Sequence, residues 1–353
     1  MTMTSVSSNY LATALLPSIA KLQSQMSNDE VELSTGQYAD LGLQLGGQSG
    51  YELSLKNDYE LLQTLTSGND VVTTNLTTAQ DALSSILTGA QNAASSLTEW
   101  TSSSGTADAT LNSIGASALQ TLISLTNATS NGGYVFGGVN TDAAPMADYF
   151  SSTTSAAKSA IETAFENEFG CSPTDSAAAS ISASDMQSFL AGAFADLFSG
   201  SNWTTYWSSA SSANVTSQIA PGETIETSTN ANQTGFQQLA EGYAMLTAFG
   251  GTSLSSAAQQ TVATTALSLI TQGETSITAT AAQVGAAAAQ VTDANNAMSS
   301  QMKILETQIG NLDDVNSSAA STELTTLQTQ LEASYEMTNQ LQKLCLAQYL
   351  PVS

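Results

Sequence analysis

Residues 263–312 read ATTALSLITQGETSITATAAQVGAAAAQVTDANNAMSSQMKILETQIGNL, and this stretch decides the fold. Alternating steps of four and three pick out Ala263, Leu267, Ile270, Glu274, Ile277, Ala281, Val284, Ala288, Val291, Asn295, Met298, Met302, Leu305, Ile309 and Leu312. Only Glu274 and Asn295 are polar in that series. An alternation that never slips predicts one continuous α-helix whose apolar stripe packs on other helices. At ~1.5 Å per residue, about 50 residues make a rod of roughly 75 Å. Fibre subunits use rods of that length more often than compact globules do. The stretch therefore points to assembly rather than to catalysis.

A second seam precedes it: Leu62, Leu65, Asn69, Val72, Leu76, Ala79, Leu83, Ile86, Ala90, Ala93, Leu97, Trp100. It predicts a helix from about Ser49 to a break near Ser104-Gly105. The economical arrangement pairs the two rods inside one chain. Leu62, Leu65, Val72, Leu76, Leu83, Ile86 and Leu97 then face Leu267, Ile270, Ile277, Val284, Val291, Met298, Met302, Leu305 and Ile309. Asn69 and Asn295 either set the register of that pairing or are tolerated in a loose Ala-rich seam.

Each chain end carries a shorter stripe. Leu15, Ile19, Leu22, Met26 and Leu33 line one, with Asp29 at the intervening position. Pro17 places the start of this helix, or a kink, near residue 17, and Gly36 is its stop. Residues 36–50 (GQYADLGLQLGGQSG) read as a glycine-rich loop. At the other end, beyond Asp313-Asp314, the stripe runs Leu324, Leu327, Leu331, Leu341, Leu344. A 20-residue helix with a single stripe is marginal on its own. Either the two ends pair with each other or many copies pool their stripes, and both can hold together. These ten leucine, isoleucine and methionine positions are the candidate assembly interface.

The middle changes character. Ala107–Asn131 reads as a further helix closed by Asn131-Gly132-Gly133, and Tyr134–Val139 reads as a short strand. Ser155–Phe169 and Ser184–Phe198 have helical spacing. Val215–Ile219 and Glu223–Ser228 alternate around Pro221-Gly222, which predicts a hairpin. Thr234–Phe249 is helical again, ending at Gly250-Gly251. The predicted fold is mainly α: a long antiparallel helical bundle or coiled coil formed by both chain ends, with a small inserted α+β domain. The division is 1–45 with 313–353 as terminal assembly domain, 46–139 with 233–312 as long bundle, and 140–232 as insert with an aromatic core.

Composition excludes several functions. The 353 residues hold 30 acids against 5 Lys, with no Arg and no His, for a net charge of -25. Nothing there could neutralise nucleic-acid phosphates or hold an anionic membrane surface. Without His or Arg there is no imidazole base and no guanidinium clamp. Pairs such as Glu166/Glu168 and Asp313/Asp314 read as solvated faces, and no calcium-loop order or nonapeptide repeat occurs. No catalytic, cofactor or metal site is predicted. Cys171 and Cys345 lack metal spacing and read as small buried hydrophobes. No run approaches the ~18 apolar residues of a membrane span. The apolar patch Tyr10–Leu16 has no basic residue before Lys21, so no secretory signal is expected.

Several stretches together resemble the flagellin superfamily. Leu33-Ser34-Thr35-Gly36 closes an N-terminal heptad helix as in flagellins, and a glycine-rich loop then feeds a long helix. Within the superfamily the chain looks most like the hook-associated proteins of the hook–filament junction. GYVFGGVNT at 133–141, ETIETSTNAN at 223–232, and the end from LQTQLEASY at 327–335 through Leu350 carry that likeness. Flagellins usually carry Arg after the position of Gly36, and Gln37–Gly50 has none. The resemblance implies a non-enzymatic structural component of the extracellular bacterial flagellum. It implies terminal helices in an inner tube, long coiled coils in an outer tube, and the insert outside. It also implies export through the flagellar type III route without a cleaved signal. The partners it implies are other copies of the chain, a neighbouring hook-associated protein, flagellin, and an export chaperone on the C-terminal helices. The alternatives are a minor or main flagellin, or, from another class, a secreted acidic adhesin with a concave site around Trp203 and Trp207.

Overall fold

The computed structural model describes residues 8–102, 108–151 and 155–349, with side chains placed for 15–102, 110–151 and 155–340. The chain is mainly helical. It opens with α1 (Ser8–Thr35), the short α2 (Leu41–Leu45), α3 (Ser49–Ser102) and α4 (Asp108–Thr126). A hairpin of β1 (Thr129–Ser130) and β2 (Gly133–Tyr134) follows, then α5 (Ala156–Phe169), α6 (Ala183–Phe189) and α7 (Gly200–Tyr206). A second hairpin, β3 (Thr216–Ala220) with β4 (Glu223–Glu226), leads into α8 (Thr234–Phe249), α9 (Ser256–Asp313) and α10 (Ser317–Tyr349). Two compact units emerge: 1–63 with 299–353, and 64–298.

In the unit 64–298 the heptads do what their spacing dictates. On α9, Ile270, Ile277, Val284, Val291 and Met298 are buried, each seven residues from the last. The alternating positions Leu267, Glu274, Ala281, Ala288 and Asn295 are half-buried. On α3, Asn69, Leu76, Leu83, Ala90 and Leu97 repeat the same seven-residue burial. Asn69 Nδ2 donates to Asn295 Oδ1 at 2.7 Å and to the Ile219 carbonyl of β3 at 2.8 Å. The register-setting reading of these two asparagines therefore describes them better than tolerance does. One amide ties both rods and a hairpin strand, and at 1% exposure it has no access to water as a substitute partner.

Helix α8 is apolar nearly all round and is buried accordingly, from Phe236 through Leu239, Tyr243 and Leu246 to Phe249. Glycines let it approach its neighbours. A Cβ on Gly235 would lie 2.9 Å from Ile277, and one on Gly273 would lie 2.7 Å from Leu239. On its other side a Cβ on Gly115 of α4 would lie 2.5 Å from Leu246. The aromatic core gathers Phe165, Phe189 and Phe194 around Phe249 of α8, with centroid distances to Phe249 of 5.3, 5.8 and 5.5 Å. Phe136 meets Phe236 edge-on at 5.4 Å. Aromatic packing is thus continuous between 140–232 and α8, and the compact unit takes in both.

Several local expectations are corrected. Helix α1 starts by Ser8 and carries Pro17 inside it. Pro17 is exposed, so the carbonyl that its ring leaves without an N–H can turn to water. The glycine-rich loop contains α2, because the Asp40 carboxylate accepts the Leu43 N–H at 2.9 Å and nucleates a turn. Helix α4 stops at Thr126 rather than at 131. Asn131 (φ 51) and Gly132 (φ 83) instead form the tight turn of the first hairpin, the left-handed pair that a two-residue primed turn demands. The strand expected over Tyr134–Val139 ends after Tyr134, because the chain turns back at Gly137, whose carbonyl accepts the Asn140 N–H at 3.1 Å. The helix expected over Ser184–Phe198 breaks at Gly192, whose backbone leaves helical angles. The break expected at Ser104-Gly105 lies outside the described residues.

Truncating Asn69 strands a strand carbonyl and an interhelical acceptor together. Asn69→Ala should cost about 2–3 kcal/mol in urea unfolding of the full chain. Asn295→Ala should cost less, because Ile219 keeps its donor. Equal losses would show that the bond to Ile219 adds nothing.

Candidate assembly site at the terminal helix pair

Within the unit 1–63 with 299–353, α1 packs on α10. The stripe predicted on α1 lies in that contact: Ile19 is buried, and Leu15, Leu22, Met26 and Leu33 are half-buried. From α10 come Ala320 and Leu327, both buried, with Leu324 and Leu331 half-buried. Gln23 Nε2 donates to the Tyr335 hydroxyl at 2.8 Å. In the single chain the two terminal stripes therefore occupy each other. The side chains of Leu341, Leu344 and Cys345 lie outside the described set.

What the helix pair leaves outward was not in the predicted set. Leu16 is 63% exposed, Val31 45% and Met337 56%. They sit off the three-four register that the sequence reading followed. The available signal was the remainder: apolar residues that no intrachain stripe uses.

The pair is anchored by a joint. Gly36 ends α1 in the left-handed region (φ 76), where only glycine is unstrained. Its carbonyl accepts the Val315 N–H at 2.8 Å, and Tyr38 N–H donates to the Asp313 carbonyl at 3.0 Å. Gln37 and Asp314 form the bridge between these bonds. The break after α1 and the break after α9 are thus one crossing. Asn316 then caps α10, its Oδ1 accepting the Ser318 and Ala319 N–H groups at 3.1 and 3.2 Å. Lys56 of α3 closes the joint. Its ammonium contacts Glu52 one turn back and Asp313 Oδ2 at 2.7 Å. Hydrogen bonds to Asp313 and then Glu52 raise the Lys56 pKa above its ordinary value. Asp313 is fully buried, so the pair read from sequence as a solvated face is a buried acceptor beside an exposed Asp314.

The middle motifs are structural. GYVFGGVNT and ETIETSTNAN lie on each other: Gly137 bridges Asn230, and Ala231 N–H donates to the Phe136 carbonyl at 2.9 Å. Asn232 Oδ1 accepts Trp203 Nε1 at 2.9 Å and the Ser208 hydroxyl at 2.7 Å. Trp203 and Trp207 are each 1% exposed and stack at 6.1 Å, so the open aromatic site expected of an adhesin is not formed by them. Among the described residues no group of three or more His, Cys, Asp or Glu is placed to hold a metal, and no helix is long and apolar enough to cross a membrane.

In one unit the two chain ends close as a helix pair, and in the other two long helices are locked in register. Two family models match the chain: the bacterial flagellin N-terminal helical region over residues 6–141, and the bacterial flagellin C-terminal helical region over 267–350. Together they take in well over half the chain, which belongs to the bacterial flagellin family. That family is structural rather than enzymatic, and the chain is a structural component of the bacterial flagellum. A solved structure from Vibrio parahaemolyticus, assigned as a flagellar hook-associated protein, is similar over 74% of this chain and 96% of that one, at 13% identity and a TM-score of 0.49. Among curated proteins no sequence matches.

Lys56→Met leaves the Asp313 carboxylate buried and unpaired. The loss at the joint should be about 2–4 kcal/mol, below the full penalty for a buried pair because the lysine side is 37% exposed and screened. A nonspecific protease should then cut within 36–48 several times faster. Adding Asp313→Asn should restore most of the protection. An unchanged cutting rate in the single variant would remove Lys56 from the joint.

Proposed function

We propose that this chain is a junction subunit joining hook to filament, assembling through its terminal helices and performing no catalysis. The observation that carries the reading is the segment after α1. It holds no Arg or Lys, folds as the small capped helix α2, and offers an apolar tip, Leu43, 83% exposed. A main-filament flagellin usually carries Arg there. The two middle motifs and the Leu327–Leu350 end support the same reading.

In this reading, Leu15, Ile19, Leu22, Met26, Leu33, Leu324, Leu327, Leu331, Leu341 and Leu344 form the assembly interface, through which the terminal pair packs with pairs from other copies. Leu16, Val31 and Met337 meet those copies first. The neighbours along the axis are another hook-associated protein and flagellin. Before export through the type III route, without a cleaved signal, a chaperone covers the C-terminal helix. The long-helix residues from Leu62 to Leu97 and from Leu267 to Ile309 act as a strut. The second reading, a minor or main flagellin, keeps the same assembly and differs in copy number. Subunit abundance in purified flagella separates the two, since a junction needs few copies and a filament needs thousands.

Outward and seam positions should respond differently. Leu16→Asp or Met337→Asp should block salt-induced polymerisation, followed by sedimentation, while leaving the melting temperature within about 2 °C. Leu327→Asp should lower both, because it breaks the intrachain pair first. Wild-type polymerisation should speed up with salt as repulsion between chains of net charge -25 is screened. Polymerisation of the Leu16 and Met337 variants at the wild-type rate would sink the outward-face assignment.

A further inference from the structure

The α1 stripe steps Ile19, Leu22, Met26, Asp29, Leu33, and four of those five positions are apolar. Asp29 is placed as a core residue and is buried as one, at 8% exposure. Its Oδ2 has no hydrogen-bond partner. On α10 the exposed Glu323 lies near enough for its charge to act on Asp29, and one turn on in its own helix stands Glu32, itself engaged by the Ala39 N–H at 3.1 Å. The lysine on α1, Lys21, is eight residues back, about 12 Å along the helix. A carboxylate buried in a hydrophobic seam with an unpartnered oxygen is a poor choice if the pair is only to be stable, since an apolar residue there would strengthen it.

We propose that Asp29 makes the α1/α10 pair a proton-dependent joint, closed when its carboxyl is protonated and loosened when it is charged. The inference starts from the buried, unpartnered carboxylate in the α1/α10 seam and does not depend on which flagellar position the chain fills. A loosened pair presents Ile19, Leu22 and Leu327 to other helices, whereas a closed one buries them.

The direction follows from linkage. Burial, then Glu323 and Glu32, hold the Asp29 carboxyl above its ordinary 3.8. The paired state therefore binds the proton more tightly than the open state does. Its advantage is complete below the ordinary carboxylate pKa and is lost as pH rises through the raised one. Lowering pH from neutrality should tighten the joint.

The test is hydrogen exchange on the full chain as a dilute monomer at low salt, corrected for intrinsic rates. It is read on peptides from α1 (15–33) and α10 (317–340). At pH 7.5, Asp29→Asn and Asp29→Leu should each slow exchange in both helices by about fivefold or more relative to wild type. Glu323→Gln should give part of that effect. As pH falls from 7.5 toward the ordinary carboxylate range, wild-type protection should rise, and the Asp29 variants should be flat. Peptides from 64–298 serve as reference: Glu241 there, pushed up by burial to about 7, has its own pH response, which the Asp29 variants must leave unchanged. Exchange in α1 and α10 that is unchanged or faster in both Asp29 variants overturns the proposal, as does a pH response that survives them.

Discussion

Two helices of more than fifty residues can pack in many registers, and the fold depends on excluding all but one. Apolar seams alone do this poorly. An Ala-rich heptad slid by seven residues still meets apolar groups, so the energy difference between registers is small. The Asn69–Asn295 bond changes that. In a slipped register Asn69 would bury an unpaired amide, at a cost of roughly 1–3 kcal/mol, and the Ile219 carbonyl would lose its donor as well. The bond to the Ile219 carbonyl also fixes where the β3–β4 hairpin sits along α3. The surrounding positions Leu76, Leu83, Ile277 and Val284 provide burial, whereas the asparagines provide position.

The same helices carry little charge, and their surfaces solve the solvation problem differently. Threonine hydroxyls along α3 and α9 donate to the carbonyl four residues back, as at Thr73, Thr78, Thr271 and Thr278, with distances of 2.7 to 2.9 Å. Such bonds add little helix stability, and a β-branched side chain is a modest helix former. The arrangement keeps the surface wet without long flexible ion pairs. Lysine is correspondingly scarce, and one of the five is placed at Lys56, where a buried carboxylate needs it.

The periodic parts of the fold were legible in the sequence because period is a property of the chain alone. Every position of the Ala263–Leu312 seam is buried or half-buried, and α3 and α5 span the residues their spacing predicted. What was not legible depended on partners distant in sequence. Asn131-Gly132 serves equally well as a helix stop and as a hairpin turn, and only the meeting of Thr129 with Tyr134 decides. Asp313 reads as solvated until Lys56, more than 250 residues away, is placed beside it. The aromatic insert looked self-contained because its partners Phe236 and Phe249 lie in a helix that reads as part of the bundle. At the candidate site the seam residues were visible from their spacing. The outward residues Leu16 and Met337 were not, because identifying them requires knowing which face the partner helix has already taken.

That last point bears on how one chain can be both a folded monomer and an assembling subunit. If the terminal stripes were the whole interface, a chain with its ends paired would have nothing left to offer. In the proposed assembly the helix pair would resolve this by using two surfaces of each helix. The inner one, centred on Ile19 and Leu327, also buries Asp29 with an unpartnered carboxylate oxygen. The outer one carries isolated apolar residues that are too few to draw the ends of a single molecule together. The unit 64–298, by contrast, has a continuous core of aromatic and aliphatic side chains. In the proposed assembly, stability would thus be concentrated where the subunit must keep its shape, and withheld at the ends where copies would meet.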